Sequence, residues 1–119
     1  MSRQEEMLPL SPLTMAILLA LADGERHGYA LMKEIEAQTD GTLRPGTGSL
    51  YAGLQRLLSD GLIREAEPTE EADRRRRSYA ITQSGREMVS AEARRMMRVI
   101  EVASRRDLAP RPDPVPDAS

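Results

Sequence analysis

The sequence contains no cysteine, no tryptophan and no phenylalanine, and three tyrosines are its only large aromatic side chains. Without cysteine, the chain can form neither disulfide bonds nor thiolate zinc sites. Because aromatic residues are scarce, the core has to be built from leucine, isoleucine, valine, alanine and methionine. In a chain of 119 residues, such a core stabilises a lone monomer only weakly, and pairing with a second copy would add buried area.

Long apolar runs are also absent. The longest, Leu13–Ala22, has about half of the ~20 residues that a membrane-spanning helix requires. The N-terminal sequence MSRQEEMLPL lacks the basic and apolar regions of a signal peptide. We therefore expect a cytoplasmic protein that does not contact a membrane.

Little in the sequence favours catalysis. The chain has a single histidine, His27, and one imidazole in a chain without cysteine is far more often structural than a catalytic base or a metal ligand. The sequence shows no nucleophile beside a base and no cluster of metal-ligating residues. It therefore predicts neither an enzyme nor a bound metal or cofactor.

The formal net charge is only −2, but the charges are unevenly distributed. Four consecutive arginines, Arg74–Arg77, follow a stretch that contains five acidic residues: Glu65, Glu67, Glu70, Glu71 and Asp73. A run of like charges repels itself unless water, counterions or an anionic partner screens it. Any attraction for nucleic acid must come from such a local patch, although an arginine run taken alone is more often a solvated loop.

Apolar periodicity and turn residues predict four helices and three short strands. The predicted helices are Pro12–Ala22, Gly28–Thr39, Thr47–Asp60 and Gln83–Arg106, with Ser11, Thr47 and Thr82 as caps of the first, third and fourth. The predicted strands are Leu62–Glu67 and Arg76–Thr82, which would form a hairpin, and Thr42–Arg44.

The last predicted helix carries an apolar seam. Val89, Ala93, Met96, Ile100 and Ala103 recur at alternating spacings of four and three residues, which is the a/d pattern of paired helices. Together with the neighbouring Met97, they form the predicted dimer interface. The predicted organisation is residues 1–82 as one domain, 83–106 as a dimerisation helix and 107–119 as a disordered proline-rich tail.

Three short helices followed by a two-stranded ribbon are the layout of a winged helix-turn-helix, a mainly helical fold with a small β-hairpin. In that layout the third helix enters the major groove of DNA. The candidate DNA-binding residues are Thr47, Gly48, Ser49, Tyr51, Gln55 and Arg56 on this helix and Arg74, Arg75, Arg76 and Arg77 in the wing. Plainer interpretations stay open, because a glycine–hydroxyl run is usually a cap and turn, and a tyrosine beside a leucine stripe is usually core.

Three segments resemble the PadR family of bacterial transcriptional regulators. They are LSPLTMAILLALADGERHGYALMKEIE, RPGTGSLYAGLQRLLSDGLI and RRRSYAITQSGRE. The motifs HGY–(two residues)–MKEIE, GT-x-S-LY and RRR-x-Y-x-IT–(two residues)–G are together specific. The similarity extends from about Leu10 to Arg106.

The resemblance implies a dimeric repressor whose single long last helix packs against the partner's copy and against its first helix. It makes Tyr29, Thr47, Ser49 and Tyr51 candidates for DNA or phosphate contact, and it places the wing arginines over the adjacent minor groove or backbone. Many family members respond to small phenolic or drug-like ligands, so a small-molecule effector is one implied partner. The stacking of flat ligands between tryptophans, found in one branch, does not fit a chain without tryptophan.

The residues and the resemblance together predict a homodimeric repressor that binds double-stranded DNA at a pseudo-palindromic operator, with an effector as a further partner. The alternative is a winged-helix protein-interaction module without sequence-specific DNA binding, since a fold alone does not determine function. In that case Arg74–Arg77 would pair with the acidic residues that precede them.

Overall fold

The computed structural model describes residues 6–66 and 77–109, which contain four long helices and three strands. In chain order these are α1 (Pro12–Leu21), β1 (Arg26–His27), α2 (Gly28–Gln38), α3 (Thr47–Ser59), β2 (Ile63–Glu65), β3 (Ser78–Ile81) and α4 (Gln83–Arg105). All four predicted helices are confirmed; α1, α2 and α4 begin at their predicted first residues, and each helix ends one residue earlier than predicted. No helix within the described ranges is long and apolar enough to cross a bilayer.

Two of the three predicted caps are present. The Ser11 hydroxyl accepts the Thr14 N–H at 3.1 Å, and the Thr82 hydroxyl accepts the Gly85 N–H at 3.1 Å. The predicted cap at Thr47 is wrong: Gly46 is the N-cap of α3 and Thr47 is already helical. The helix starts one residue earlier than a threonine cap requires, because the Gly46 carbonyl accepts the Leu50 N–H at 2.9 Å.

The sheet has three strands rather than the two of the predicted hairpin. Its order is β1-β3-β2, with both pairs antiparallel. The outer strand β1 pairs Arg26 with Tyr79 and His27 with Ser78. Two residues give too short a pattern for period-two alternation to be recognised in a sequence.

The predicted strand at Thr42–Arg44 is wrong. The Thr39 hydroxyl donates to the Ile35 carbonyl and accepts the Leu43 N–H, while the Thr42 hydroxyl donates to the Thr39 carbonyl. These bonds hold the segment in a turn after α2, since threonine side chains readily replace backbone partners at such positions.

The core lies between the three short helices and one face of the sheet. Its buried members are mainly leucine and isoleucine from all three helices, with Tyr79 from β3 and Met88 from α4; the helical set includes Ile17, Leu18, Leu21, Leu31, Ile35, Leu50, Leu54 and Leu57. The order of the elements and this packing make a winged helix-turn-helix, as predicted. We call α1–α3 and the sheet the head.

Helix α4 is attached to the head only through its first half. Its buried residues are Gly85, Met88 and Glu92, and no later residue of the helix is buried. At its end, Asp107 adopts a left-handed conformation and the Leu108 N–H donates to the Ala103 carbonyl at 2.8 Å. Residues 110–119, most of the predicted tail, lie outside the described ranges.

Candidate nucleic-acid interface

Helix α3 separates its side chains into a buried face and an exposed face. Leu50, Leu54 and Leu57 are buried in the head. Eight residues around the rest of the helix are exposed: Thr47, Gly48, Ser49, Tyr51, Ala52, Gln55, Arg56 and Ser59. The helix therefore presents hydroxyl, amide and guanidinium groups, which are the types that contact bases and phosphates.

The first turn of α3 is open to a close approach by a ligand. The N-cap Gly46 has no side chain to occupy the amides that begin the helix. A Cβ added at Gly46 or at Gly48 would meet no atom within 4 Å. Because the first amides of a helix lack intrahelical acceptors and attract anions, this turn can receive a phosphate against the backbone itself.

Tyr51 joins α3 to the start of α2. A Cβ built on Gly28 would lie only 2.6 Å from the Tyr51 hydroxyl oxygen, so this position accepts glycine alone without a shift of the tyrosine. Tyr51 nevertheless remains 43% exposed. The first turn of α2 consequently lies beside the first turns of α3, and Tyr51 is partly a packing residue and partly a surface residue.

Tyr29 stands out from the first turn of α2 and is 68% exposed. The Lys33 ammonium lies 5.6 Å from the centre of its ring, within the range of a cation–π contact. Sequence reasoning selected Tyr29 but missed Lys33. The spacing of four residues, which places both side chains on one helix face, is the signal that could have found it.

Strand β1 connects this pair of helices to the wing. The Ser78 hydroxyl lies 2.9 Å from His27 Nδ1, within hydrogen-bond distance, and His27 directly precedes α2. The single histidine therefore has a structural position between β3 and α2. Tyr51 of α3 contacts Gly28, and the adjacent His27 contacts Ser78 of β3. Helix α3 and the base of the wing therefore belong to one surface.

Of the four wing arginines, Arg77 lies within the described residues, and Arg74, Arg75 and Arg76 lie outside them. The Arg77 guanidinium contacts the Glu65 carboxylate at 3.3 Å, with both side chains about half exposed. An ion pair this exposed contributes only about 0–1 kcal/mol. Arg77 can therefore exchange Glu65 for another anion with little loss of stability.

Tyr79 anchors the central strand beneath this ion pair. Its side chain is buried, and burial raises the pKa of its phenol above the ordinary value of 10.0. The nearby Glu65 carboxylate and the Tyr51 phenol raise this pKa further, whereas Arg77 lowers it. Tyr79 thus stays neutral at any physiological pH and supports the wing by packing.

The predicted seam on α4 falls into two parts. Val89 packs partly buried against the core and Ala93 is half-buried, whereas Met96, Met97 and Ile100 are exposed, with Ala103 half-buried at the far end. Val99 and Val102 are also exposed and were missed by the heptad pattern. The free half of α4 therefore has a wider apolar surface than a two-helix seam.

A groove of about 400 Å³ continues this apolar surface onto α1. It is lined mainly by apolar side chains, with four polar ones from α2 and α4 or beside them: Leu10, Pro12, Met15, Ala16, Leu19, Gln38, Thr39, Glu92, Arg95 and Met96. Leu19 is among the exposed large hydrophobic residues of the head. Large exposed apolar patches on soluble proteins mark interaction sites.

Glu92, which contributes to the lining of the groove, bridges two parts of the chain. Its side chain is 2% exposed. One carboxylate oxygen accepts the Leu10 N–H at 2.6 Å, and the other accepts a hydrogen bond from Arg95 Nε. This constellation was not predicted, because it joins positions 82 residues apart in sequence.

No group of histidine, aspartate or glutamate suited to a metal ion occurs among residues 6–66 and 77–109. The candidate surface consists of the exposed face of α3, the first turn of α2 and the base of the wing.

Comparison with known proteins relates the chain to one family. Residues 17–91 match the model of the Transcriptional regulator PadR-like family. An uncharacterised 37.1 kDa protein from a transposon of Streptomyces fradiae is 46% identical over 85 residues, which are 71% of this chain. The chain spans only 23% of the length of that relative.

Solved structures show the same fold. A transcriptional regulator from Clostridium thermocellum is 27% identical, with a TM-score of 0.67 over 77% of this chain and 89% of its own. PadR of Bacillus subtilis, whose structure is a complex with operator DNA, is 20% identical, with a TM-score of 0.58 over 92% of this chain and 52% of its own.

Proposed function

Because this chain belongs to the PadR-like family of transcriptional regulators, we propose that it acts as a homodimeric repressor that binds a pseudo-palindromic operator. Members of the family are regulators of transcription and not enzymes. The proposal concerns the role of this particular chain: its partner, its mode of DNA contact and its effect on transcription.

The observation that carries the proposal is the exposed first half of α3. Thr47, Gly48 and Ser49 are exposed at a helix start whose amides no N-cap side chain occupies. Gln55 and Arg56 extend the same polar surface along the helix. In the major groove, Ser49, Gln55 and Arg56 would contact base edges, and Thr47 with the backbone at Gly48 would contact a phosphate.

Contacts outside α3 would hold the protein on the DNA backbone. Tyr29 and Lys33 lie on the adjoining helix, and Arg77 lies at the base of the wing. Phosphate contacts position a protein without reading sequence, and they release counterions, so affinity falls as salt rises. Arg74, Arg75 and Arg76 would add to this effect from the wing.

The apolar surface of α4 supports a dimer. A second copy whose α4 packs along Met96 and Ile100 would also cover the groove beside Leu19. Two recognition helices could then occupy successive major grooves, roughly 34–36 Å apart. Binding across a promoter would exclude polymerase, and a small-molecule effector would act by changing the separation or angle of the two heads.

The test is binding to DNA from the upstream region of the gene across a series of salt concentrations. We expect specific binding with a steep salt slope that flattens when Arg74–Arg77 are replaced by alanine. The single change Arg77→Ala should lower the slope by about one. Arg105→Ala is the matched control, because Arg105 is also an exposed arginine paired with a glutamate, at 3.8 Å from Glu101, but lies at the end of α4.

Salt-independent binding, or no binding to any upstream fragment, would contradict the proposal. One observation favours the second candidate, a protein-interaction module: Arg77 pairs within the chain with Glu65. Under that alternative Glu65→Gln leaves DNA affinity unchanged, whereas under the repressor proposal it removes a competing anion and raises affinity.

A further inference from the structure

Glu92 is the only buried charged side chain among the residues that the structure describes. Both of its oxygens are used: one by the backbone of Leu10, which immediately precedes the Ser11 cap of α1, and one by Arg95 on its own helix. The carboxylate therefore ties the start of α1 in the head to α4.

The effect of the contact between Glu92 and Leu10 depends on its position along α4. Glu92 is the last buried residue of the helix, so it lies where α4 leaves the head. The residues beyond it, 93–105, extend for about 20 Å at 1.5 Å per residue. A swing of roughly 10° at Glu92 would move the far end of the helix by ~3 Å.

We propose that Glu92 is a positioning residue: by holding Leu10 and Arg95 where α4 leaves the head, it fixes the angle between the head and α4, and thereby the separation of the two recognition helices in the dimer. This inference rests on the proposed homodimer. It adds to that function a residue remote from DNA that sets the operator spacing the protein accepts.

A contribution to stability alone does not account for such a group. A buried ion pair is generally no more stabilising than well-packed apolar side chains of the same size. The hydrogen bonds of Glu92, however, are directional. They permit one arrangement of α4 relative to the start of α1, whereas apolar packing would permit several. A leucine at this position could fill the same space but could not accept the Leu10 N–H.

The test measures the distance between the two heads in solution without DNA. The chain has no cysteine, so Ser59→Cys, at an exposed position at the end of α3, takes one spin label per protomer. We expect a narrow distribution of label–label distances in this parent. Glu92→Leu, which cannot accept the Leu10 N–H, should roughly double the width of the distribution or shift its mean by several ångströms, given the length of α4 beyond this residue.

Two variants make the result specific. Arg95→Gln removes the guanidinium that orients the Glu92 carboxylate, from a half-buried position, and it decides the question if Glu92→Leu does not fold. Glu101→Gln is the matched control: it removes an exposed ion pair with Arg105 on the same helix, away from the head, and should leave the distribution unchanged.

Distributions identical to the parent in both Glu92→Leu and Arg95→Gln would overturn the inference. A parent without any label–label distance would be a monomer, which would overturn both the inference and the homodimer. A second measurement separates the inference from DNA binding. On duplexes with two half-sites at spacings varied by single base pairs, Glu92→Leu should broaden the spacing optimum while affinity for one half-site stays unchanged.

Discussion

Two glycines lie at the starts of neighbouring helices and have opposite surroundings. Gly28 begins α2 directly beneath the Tyr51 hydroxyl, whereas Gly48, in the first turn of α3, has open space where a side chain would be. Neither has the left-handed backbone that only glycine adopts easily. The absence of a side chain therefore serves packing at Gly28, and at Gly48 it leaves room for a ligand.

For Gly28→Ala we expect a loss of about 1–3 kcal/mol in the free energy of unfolding, the usual effect of overpacking. The added Cβ would be 2.6 Å from the Tyr51 oxygen and 3.1 Å from Cζ. Tyr51→Phe removes the nearer atom, so the double variant should recover most of the loss. Urea unfolding of the four proteins measures this coupling, and additive effects would show that the two residues do not touch.

For Gly48→Ala we expect stability and DNA affinity to change in opposite directions. Alanine is favoured over glycine inside a helix, so the free energy of unfolding should rise by up to about 1 kcal/mol. The new methyl group would lie where we propose a phosphate approaches the backbone, so affinity should fall. Parallel urea unfolding and DNA titration check this, and unchanged affinity would place the phosphate elsewhere.

Sequence spacing predicts which side chains of one helix are buried or exposed, but not the contacts between separate elements. The leucine face of α3 follows from spacing along one helix, and so does the exposure of Gln55 and Arg56. The contact of Tyr51 with Gly28 joins two helices whose relative orientation no local pattern contains. Arg77 was predicted to bind phosphate, a role that stays a prediction, but its contact with Glu65 depends on the register of two strands.

Among the elements, α4 divides into a half held by the head and a half that extends away from it, with Glu92 at the boundary. A hydrogen bond from Arg95 lowers the pKa of Glu92 below the ordinary 4.5; burial opposes this effect, and the Leu10 N–H adds to it. The folded state therefore favours the ionised carboxylate, and the attachment is complete near neutral pH.

The direction of this shift predicts a pH dependence. A pKa that is lower in the folded state stabilises the fold above the unfolded value, and the contribution is lost as pH falls through the folded value. We expect the wild type to be more stable than Glu92→Gln near neutrality, with the difference shrinking below pH 4.5. Urea unfolding at fixed protein concentration measures it, with Glu101→Gln as a control that should show little difference at either pH.

The elements also differ in how far the sequence predicted them. All four helices have apolar stripes, and Ser11 and Thr82 cap α1 and α4, so the ends of the helices were predicted to within one residue. Strand β1 is two residues long and exists because β3 offers it an unpaired edge. The turn at Thr42–Arg44 resembles a strand in composition, but threonine hydroxyls take the backbone bonds that a strand would make.

At the scale of the whole molecule, the free half of α4 and the groove beside α1 leave a continuous apolar surface uncovered. Ile100 and Met96 lie near its centre and are each nearly half exposed. Burying this surface against a second copy would compensate for the small core that the composition dictates.

Ile100→Glu should therefore convert the protein to a monomer of about 13 kDa, the mass of one chain, because a carboxylate in the centre of an apolar interface loses its hydration. DNA affinity should fall in parallel, since each head would bind alone. Sedimentation equilibrium and DNA titration measure the two effects. Ser90→Glu, which adds the same charge at an exposed position of α4, should change neither, and a wild type that sediments as a monomer would refute the interface.

The direct passage from β1 into α2 restricts how the length of this chain can vary during evolution. His27 ends the strand and Gly28 begins the helix, with no residue between them. One inserted residue would turn the strand side chains to the opposite face or rotate α2 by ~100°, which would replace Leu31 in the core by the smaller Ala30. Relatives that keep this fold should therefore align without gaps from Arg26 to Leu31.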